Sequence, residues 1–421
     1  MYKFAHLADC HLGAQKYPEL KELEINAFKN CLDYCIEEKV DFIIIAGDLF
    51  HSNLPDMGIV KEAVTKLKEV NEKGIPVYIN YGSHDFSPNE TSIIDVITES
   101  GLLIKLFDGY VLKDEKGDEK LELNFKVDKK TNAKLAGISG RKMGIEDTYY
   151  KMLDKKSLEN EQGFKIFVFH TSIKNLLPDF LSKMDGIDIN LLPKNFDYYA
   201  GGHIHKRVCE SINDYGIITY SGPIFAGYPK DLEISAKGEE RGFYIVEFDG
   251  KIHDVKFCPL KLAKYVFLEF KADNKNSKQL NEEIFDKLES LDPKNKIIIL
   301  KVKGTLSGGK TSDIDFNKIR IILKEKGSIH VSINHHGLGS KEFSAIRVKG
   351  ETTSEIEANL LLENIRNINI STSELKDREG AELALKLIDI IRMSSKPNEK
   401  KSDYNNRILK DSLKILGFEE L

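Results

Sequence analysis

Residues 40–51 read VDFIIIAGDLFH, an apolar run that ends in a glycine, an aspartate and, three residues later, a histidine. Four other short apolar runs also end just before polar residues: Tyr2–Ala8, Val77–Tyr81, Ile166–Phe169 and Tyr198–Ala200. The runs are rich in β-branched or aromatic residues and are too short for helices of ordinary length. They are therefore predicted to be buried strands.

The segments between the first three runs have helical periodicity. Leu23, Ala27, Cys31 and Cys35 recur at four-residue steps, and a second helical pattern covers Met57–Lys73. Strands that alternate with helices predict an α/β fold with a largely parallel core sheet.

Polar residues that can bind metal follow the runs. They are Asp9 and His11, Asp48, His84 and Asp85, His170, and His203 with His205. Ligands gather at the carboxyl ends of parallel strands, so we expect these loops to converge on one rim.

Imidazole and carboxylate ligands without thiolates suit manganese, iron or zinc. Paired ions about 3.5–4 Å apart can clamp the attacking and leaving oxygens of a phosphate diester. The pattern therefore predicts a two-metal phosphoesterase, with Asp48 as the bridging carboxylate.

Each of these residues also has a purely structural interpretation. An aspartate after a strand is often a turn or capping residue, and a single buried histidine is usually only hydrogen-bonded. The pairs Asp9-x-His11 and His203-x-His205 are more specific, because alternate residues of an extended segment project to the same side. The combined pattern favours the metal site.

The motif order D-x-H, G-D-x-x-H, G-[N]-H-D, H and G-H-x-H resembles that of the calcineurin-like metallophosphoesterases. The segments LADCHLG, VDFIIIAGDLFH, YYAGGHIHKR and RGFYIVE are similar to double-strand-break repair nucleases of the meiotic-recombination-eleven type, in their archaeal form, and to their bacterial SbcD counterparts. The resemblance is dense from Met1 to about Phe248 and looser beyond. It implies a core of mixed sheets sandwiched with helices, and manganese-dependent exonuclease and endonuclease action on the ends of DNA double-strand breaks.

The resemblance also implies two ion sites, expected to hold two Mn²⁺ ions in preference to Mg²⁺, Fe²⁺ or Zn²⁺. The first ion would be held by Asp9, His11, Asp48 and His205. The second ion would be held by Asp48, His170, His203 and a ligand from the third motif.

Three further roles follow from the same resemblance. His84 would stabilise the developing charge or protonate the leaving oxygen. His51 would position the DNA strand, and Asp85 would orient His84.

The third motif departs from the family pattern at Ser83, where an asparagine is usual. A serine hydroxyl is one bond shorter than the asparagine amide and a weaker metal ligand. It would either approach the ion more closely or bind it through water. We therefore expect a weaker or asymmetric second site.

The chain has 421 residues, more than one ordinary domain. Strand and helix patterns after residue 256 predict a small α/β unit, which the resemblance identifies as a capping domain that selects DNA shape. The expected domains are the nuclease at residues 1–255, the cap at 256–338, a linker at 339–372 and a helix-loop-helix at 373–421.

Gly304, Gly309, Lys310 and Thr311 match the phosphate-binding pattern G-x-x-x-x-G-K-T inside the small unit. Ser312 or Asp313 resembles an N-cap, so the helix is expected to begin after it rather than at the lysine. We interpret the segment as a glycine-rich surface turn.

Two amphipathic patterns, Leu375–Met393 and Asn405–Leu416, end the chain. Two short helices cannot form a core of useful size, so their apolar stripes need a partner. The resemblance implies an SMC-like ABC ATPase with coiled-coil arms, bound through residues 373–421, and a homodimer of the nuclease itself. The alternative is that the helices fold back on their own capping domain.

Charge and composition limit the partners. With 62 basic and 67 acidic residues the formal charge is −5, so no general positive field attracts nucleic acid. DNA contacts are expected to be local, with Lys206-Arg207, Arg141-Lys142 and Lys129-Lys130 as candidates, although surface lysines are often only solvated. The sequence lacks a signal-peptide pattern or an apolar run of membrane-spanning length, which predicts a cytoplasmic protein without a membrane partner. The resemblance implies that it is nucleoid-associated. Its 5 cysteines include no C-x-x-C pair and are expected to be reduced.

Two other functions remain open from the sequence. The metal cluster does not identify the substrate, so a phosphomonoesterase or a cyclic-nucleotide phosphodiesterase is an alternative. A DNA-end-bridging subunit with weak hydrolysis is another, because Ser83 replaces the expected amide ligand.

Overall fold

The computed structural model of the protein describes residues 1–87, 91–113, 117, 119–141, 146–177, 185–341, 353–367, 375, 377–397 and 399–417. The strands among them are β1 Tyr2–Leu7, β2 Phe42–Ala46, β3 Val77–Asn80, β4 Ile104–Lys105, β5 Gly109–Lys113, β6 Glu119–Leu123, β7 Lys126–Val127, β8 Lys134–Ile138, β9 Lys165–His170, β10 Tyr198–Gly202, β11 Val208–Ile212, β12 Gly216–Tyr220, β13 Gly242–Phe248, β14 Ile252–Pro259, β15 Lys264–Lys271, β16 Lys296–Leu306 and β17 His330–Ser340. The helices are α1 Pro18–Glu37, α2 Met57–Glu72, α3 Ile93–Glu99, α4 Glu146–Met152, α5 Lys155–Asn160, α6 Pro229–Ala236, α7 Ser277–Glu289, α8 Phe316–Glu325, α9 Thr353–Asn367, α10 Asp377–Ile391 and α11 Lys401–Ile415.

The five apolar runs become β1, β2, β3, β9 and β10, divided between two sheets of the described chain. The first sheet has the order β14-β13-β1-β2-β3-β4, with β1 to β4 parallel and β13 and β14 antiparallel. The second has the order β11-β12-β10-β9-β8-β7, with antiparallel strands at both edges. The predicted parallel pairing is confirmed at the centre of each sheet, but the runs form two mixed sheets rather than one parallel sheet.

The composition of β2 explains why the second sheet is needed. Alternate residues of a strand face opposite sides, and every residue of β2 is buried. Ile43 and Ile45 belong to the apolar cluster that contains residues of α1 and α2. Phe42, Ile44 and Ala46 belong to a different cluster, which contains residues of β9 and β10. A strand that is apolar on both faces requires cover on both faces, here helices on one side and the second sheet on the other.

The chain divides into two compact units. The first comprises Met1–Leu268, Asp292–Leu300 and Arg320–Ile333, and the second comprises Glu269–Leu291, Lys301–Ile319 and Asn334–Leu421. A third sheet has the order β15-β16-β17, and its strands alternate with α7 and α8 as the sequence predicted. The domain boundaries drawn from the sequence remain predictions.

The glycine-rich segment before α8 folds as a turn. Asp313 accepts hydrogen bonds from the Lys310 amide at 2.7 Å and from the Ser277 hydroxyl at 3.0 Å, so a carboxylate of the chain fills the loop. The predicted N-cap was wrong. Thr311–Asp313 form a 3₁₀ turn, α8 begins at Phe316, and Asp315 accepts from the Lys318 amide at 2.9 Å.

The two predicted carboxy-terminal helices are present as α10 and α11. The Arg407 guanidinium pairs with Glu399 at 2.8 and 2.9 Å, and the Tyr404 hydroxyl donates to the Met393 carbonyl at 2.9 Å. Helix α11 buries none of its described residues, and Leu409 is 58% exposed. No helix in the described part of the chain has the length and apolar character needed to cross a membrane.

Candidate metal centre

The predicted site residues follow strands of both sheets in the first unit. They are Asp9 and His11 after β1, Asp48 and His51 after β2, Ser83, His84 and Asp85 after β3, His170 at the end of β9, and His203 and His205 after β10. Where β10 ends, the two sheets lie close together, because a Cβ atom on Gly202 would meet the Ala46 carbonyl oxygen at 2.0 Å. The carboxyl ends of parallel strands from two sheets thus supply one site.

The backbone at the site adopts an uncommon conformation. Asp9, His11, Asp48 and His203 have positive φ angles of 51°, 46°, 52° and 89°. Left-handed backbone is unfavourable for residues with a Cβ atom, and such residues concentrate at functional sites. These angles turn the chain sharply as it leaves each strand.

Two motif glycines are required by close packing. A Cβ atom on Gly47, whose φ is +87°, would lie 2.2 Å from His170 Nδ1. A Cβ atom on Gly82 would lie 2.0 Å from Asp48 Oδ1. The glycines therefore allow the third motif and His170 to approach Asp48.

One group of potential ligands consists of Asp9, His11 and His205, whose ligand atoms lie within 4.8 Å of one another. The Nε2 atoms of His11 and His205 are 3.0 Å apart. The Asp9 carboxylate also accepts from the His203 amide at 2.9 and 3.1 Å, which holds it against the loop after β10. Two imidazoles and a carboxylate that converge in this way fit a divalent cation.

A second group consists of Asp9, Asp48 and His170. His170 donates from Nδ1 to the Ala46 carbonyl oxygen at 2.8 Å, so Nε2 carries the lone pair of the neutral ring. His170 Nε2 is buried without a hydrogen-bond partner, although it lies 3.2 Å from Asp48 Oδ2. Asp48 Oδ2 is also 3.6 Å from His11 Nε2. Asp48 Oδ2 thus lies within 4 Å of an imidazole of each group, where a bridging carboxylate would be expected, and Asp9 is common to both groups.

His203 belongs to neither of these two groups, and its ring centre is 5.4 Å from that of His170. Ser83 lines a cavity of about 400 Å³ together with Asp48, His84 and His203. Both predicted second-site residues therefore line the same cavity as Asp48, and their roles as ligands remain predictions.

Burial and mutual charge perturb the titration of the cluster. Burial raises the pKa of Asp9 to about 6 and lowers that of His203 to about 4. Burial opposes ionisation of Asp48 and His170 as well, but their mutual attraction holds the pKa of Asp48 below its usual value and raises that of His170 to about 10. Side-chain pKa values that are shifted by burial and by specific charge partners are characteristic of functional sites.

His84 is held at three points above Asp48. Its amide donates to Asp48 Oδ1 at 2.8 Å, and its Nδ1 faces the His51 carbonyl oxygen at 2.7 Å. A carbonyl can only accept, so Nδ1 carries a proton and donates it. The Tyr228 hydroxyl lies 2.8 Å from the other ring nitrogen, Nε2.

No hydrogen bond joins Asp85 to His84 among the described residues, so the predicted orienting role of Asp85 would have to be indirect and stays a prediction. Asp85 is buried and accepts instead from the backbone amides of Leu49, Phe50 and Gly82 at 3.2, 3.0 and 3.0 Å. It ties the second and third motif loops together. The backbone carbonyl of His51 orients His84, and the His51 ring stacks on His84 with centres 4.8 Å apart.

Three residues of the site were missed by the sequence reasoning. Tyr228 lines the cavity and contacts His84. Asp231 accepts from His205 Nδ1 at 2.9 Å, and Arg241 packs beside Asp231. Arg241 opens the RGFYIVE segment, but Tyr228 and Asp231 stand in a stretch with no ligand-like spacing that could have indicated them.

The candidate DNA contacts differ in their surroundings. Lys206 lines the cavity beside the histidines. Arg207 lies over the Phe257 ring and pairs with Glu240 at 3.6 Å. Arg141 packs over Phe86 and Tyr149.

The remaining basic candidates are Lys129, Lys130 and Lys142. Lys129 is exposed, whereas Lys130 pairs with Asp41 at 2.6 Å. Lys142 lies outside the described residues.

Residues 2–207 match the family model of the calcineurin-like phosphoesterases. The chain is 32% identical over 320 residues to the DNA double-strand break repair protein Mre11 of Methanocaldococcus jannaschii, covering 71% of this chain and 76% of the relative. It is 28% identical over 298 residues to the protein of the same name from Methanococcus maripaludis, covering 68% and 74% of the two chains. With the Archaeoglobus fulgidus protein of that name it shares 26% identity over 405 residues, covering 90% and 87%.

Proposed function

This chain belongs to the Mre11 family of DNA double-strand break repair proteins, and we propose that it hydrolyses phosphodiester bonds at the ends of broken DNA. It is a metal-dependent nuclease with a calcineurin-like phosphoesterase domain. The observation that carries the proposal is the position of Asp48 Oδ2, 3.6 Å from His11 Nε2 and 3.2 Å from His170 Nε2. One carboxylate oxygen between two imidazole-containing groups supports a two-metal centre.

We propose two Mn²⁺ ions as the metals. The first would be held by Asp9, His11, Asp48 and His205. The second would be held by Asp48, His170, His203 and Ser83. Such ions supply Lewis-acid stabilisation of the charge that develops on the phosphate.

The residues around the ligands would orient the phosphate and its leaving group. The two bonds from the His84 backbone and Nδ1 fix the imidazole, so that Nε2 faces the cavity where the phosphate would bind. From there Nε2 would stabilise the developing charge or protonate the leaving oxygen, as the Tyr228 hydroxyl gives way to substrate. His51 would support the His84 ring by stacking and guide the DNA strand.

Ser83 makes the proposed second site weaker than the first. It lines the cavity beside Asp48 and His203, but it offers a hydroxyl where the family has an amide oxygen. We propose unequal Mn²⁺ affinities, with the tighter ion at Asp9, His11 and His205.

The segments after the nuclease domain have proposed roles in binding DNA and a partner protein. We propose that residues 256–338 form the cap that selects DNA shape, and that residues 373–421 bind the coiled-coil root of an SMC-like ABC ATPase. The exposed Ile391, Leu409 and Leu416 support the second assignment, because α10 and α11 leave these apolar side chains uncovered. We also propose that the nuclease acts as a homodimer and works in the cytoplasm at the nucleoid.

DNA binding must be local because the formal charge of the chain is −5. Lys206 supports such local binding, since it lines the same cavity as the proposed ligands. Its charge would contact the phosphate backbone at the mouth of the site.

The proposal is tested by assaying linear DNA, hairpin DNA and p-nitrophenyl phosphate in parallel, with Mn²⁺ and with EDTA. We expect degradation of both DNA substrates with Mn²⁺ only, and none by Asp48→Ala. Asp214→Asn, which removes an exposed carboxylate paired with Lys194 at 2.9 Å, is the matched control and should retain activity. Turnover of p-nitrophenyl phosphate without DNA cleavage would instead indicate a phosphomonoesterase. Binding of DNA ends without cleavage would indicate an end-bridging subunit.

A further inference from the structure

The ring of His205 is held by a carboxylate from a distant part of the chain. Asp231 Oδ2 lies 2.9 Å from His205 Nδ1, and both side chains are largely buried. Since an ionised carboxylate only accepts, the proton of the ring is on Nδ1. The lone pair of the neutral ring is then on Nε2, the atom 3.0 Å from His11 Nε2 at the proposed ion site.

Arg241 in turn holds Asp231 and the loop of His205. Its guanidinium is 6% exposed and donates to the His205 carbonyl at 3.0 Å, the Asp231 carbonyl at 3.1 Å and the Ser235 hydroxyl at 2.9 Å. It also lies 3.7 Å from Asp231 Oδ1. One buried cation, just before β13, therefore links the start of that strand to the His205 loop and to α6, and it balances the charge of Asp231.

The other predicted ligand of this kind, His170, is oriented differently. Its Nδ1 donates to the Ala46 backbone carbonyl, which carries no net charge. A carboxylate partner increases the basicity of the imidazole more than a neutral carbonyl does. The two proposed ion sites therefore differ in their surroundings as well as at Ser83.

Asp231 also has a purely structural interpretation, as a residue that caps helix α6. Asp231 stands near the start of α6, and its Oδ2 accepts from the Tyr228 and Gly227 amides at 2.9 and 3.0 Å. These bonds alone would explain an aspartate that caps the helix. They do not explain why the same oxygen contacts His205 or why a buried arginine lies beside it.

We propose that Asp231 and Arg241 are positioning residues for the metal centre, which orient His205 and strengthen it as a ligand of the ion at Asp9 and His11. The inference rests on the proposed function in one respect, that His205 binds a metal ion. It attributes part of the metal affinity of one of the two proposed sites to residues that are not themselves ligands.

The test is a titration of the full chain with Mn²⁺, in which the concentration of free ion is measured from its electron paramagnetic resonance signal. It compares the wild type with Asp231→Asn, which keeps the shape of the side chain but removes its charge. We expect about a tenfold loss of Mn²⁺ affinity at one of two sites, within the range for loss of a partner to a metal ligand, and less than a twofold change at the other. Asp249→Asn is the matched control. It alters an exposed pair in which Asp249 contacts His253 at 2.5 Å, and both affinities should remain within twofold.

Thermal unfolding in EDTA separates a folding defect from a metal effect. If Asp231→Asn is unfolded, Arg241→Lys takes its place, since it keeps the charge but loses the planar contacts with His205 and Asp231. Unchanged Mn²⁺ affinity in the folded variant, or an equal loss at both sites, would overturn the inference. Absence of Mn²⁺ binding by the wild type would instead refute the proposed metal centre itself.

Discussion

Replacing Gly47 by alanine would place a methyl carbon in space already occupied by His170. A Cβ atom there would lie 2.2 Å from His170 Nδ1 and 2.9 Å from the Gly82 Cα atom, and the φ of Gly47 is +87°. The imidazole cannot move aside without loss, because it is buried and donates to the Ala46 carbonyl at 2.8 Å. The substitution therefore adds both backbone strain and a steric clash.

The size of the effect follows from these two contributions. Left-handed backbone costs an alanine about 1–2 kcal/mol, and overpacking a well-filled site costs about 1–3 kcal/mol. We expect Gly47→Ala to lower the free energy of unfolding by about 2–5 kcal/mol. Gly74→Ala is the matched control, since Gly74 has a φ of +72° but no heavy atom lies within 4 Å of the position that a Cβ atom would take there. It should carry only the backbone contribution.

The measurement is thermal unfolding of both variants and the wild type in EDTA, so that metal binding does not contribute. About 1 kcal/mol corresponds to about 2–4 °C in the midpoint for a domain of 150–250 residues. The midpoint of Gly47→Ala should therefore lie roughly 2–12 °C below that of Gly74→Ala. Equal midpoints would refute the reasoning, because they would show that His170 and the third motif do not pack against Gly47 as described.

Three further outcomes are expected. Ser83→Asn should tighten the weaker Mn²⁺ site by about tenfold, or about 1.4 kcal/mol; calorimetry that finds two equal, tight sites in the wild type and no change in the variant would contradict this. Tyr228→Phe removes the hydrogen bond, worth about 1 kcal/mol, that substrate would displace from His84, so it should lower the KM for DNA about fivefold with Mn²⁺ affinity unchanged, and an unaltered KM would speak against displacement of the hydroxyl. Truncation at about residue 370 should abolish binding of the ATPase and leave Mn²⁺-dependent nuclease activity, whereas unchanged co-purification would show that the partner binds elsewhere.

The strands were predictable, and the candidate ligand residues could be proposed, because their signals are local. The run at Phe42–Ala46 is apolar at every position, and Asp48 follows it directly. The alternation of strands and helices predicted the parallel pairing correctly. The division of the runs between two sheets was not predictable in the same way, because local sequence does not state which neighbour covers the second face of a strand.

The role of Asp85 shows a second limit. A carboxylate next to a histidine in sequence suggests a contact between them, yet Asp85 binds three backbone amides and His84 is oriented by the carbonyl of His51. Adjacent side chains need not point to the same place, and a backbone carbonyl leaves no signal in the sequence.

The sequence alone was sufficient for the chemistry of the site, since imidazoles and carboxylates after short strands restrict the function to a few metal-dependent reactions. The distances between the site residues could be obtained only from the tertiary structure. Asp48 lies between His11 and His170 because two sheets meet at one edge, and no spacing along the chain encodes that meeting. The same holds for Asp231 and Arg241, which reach His205 across a folded loop. Ligands follow strands and are visible as a pattern, whereas the groups that orient them come from any part of the chain that packing brings near.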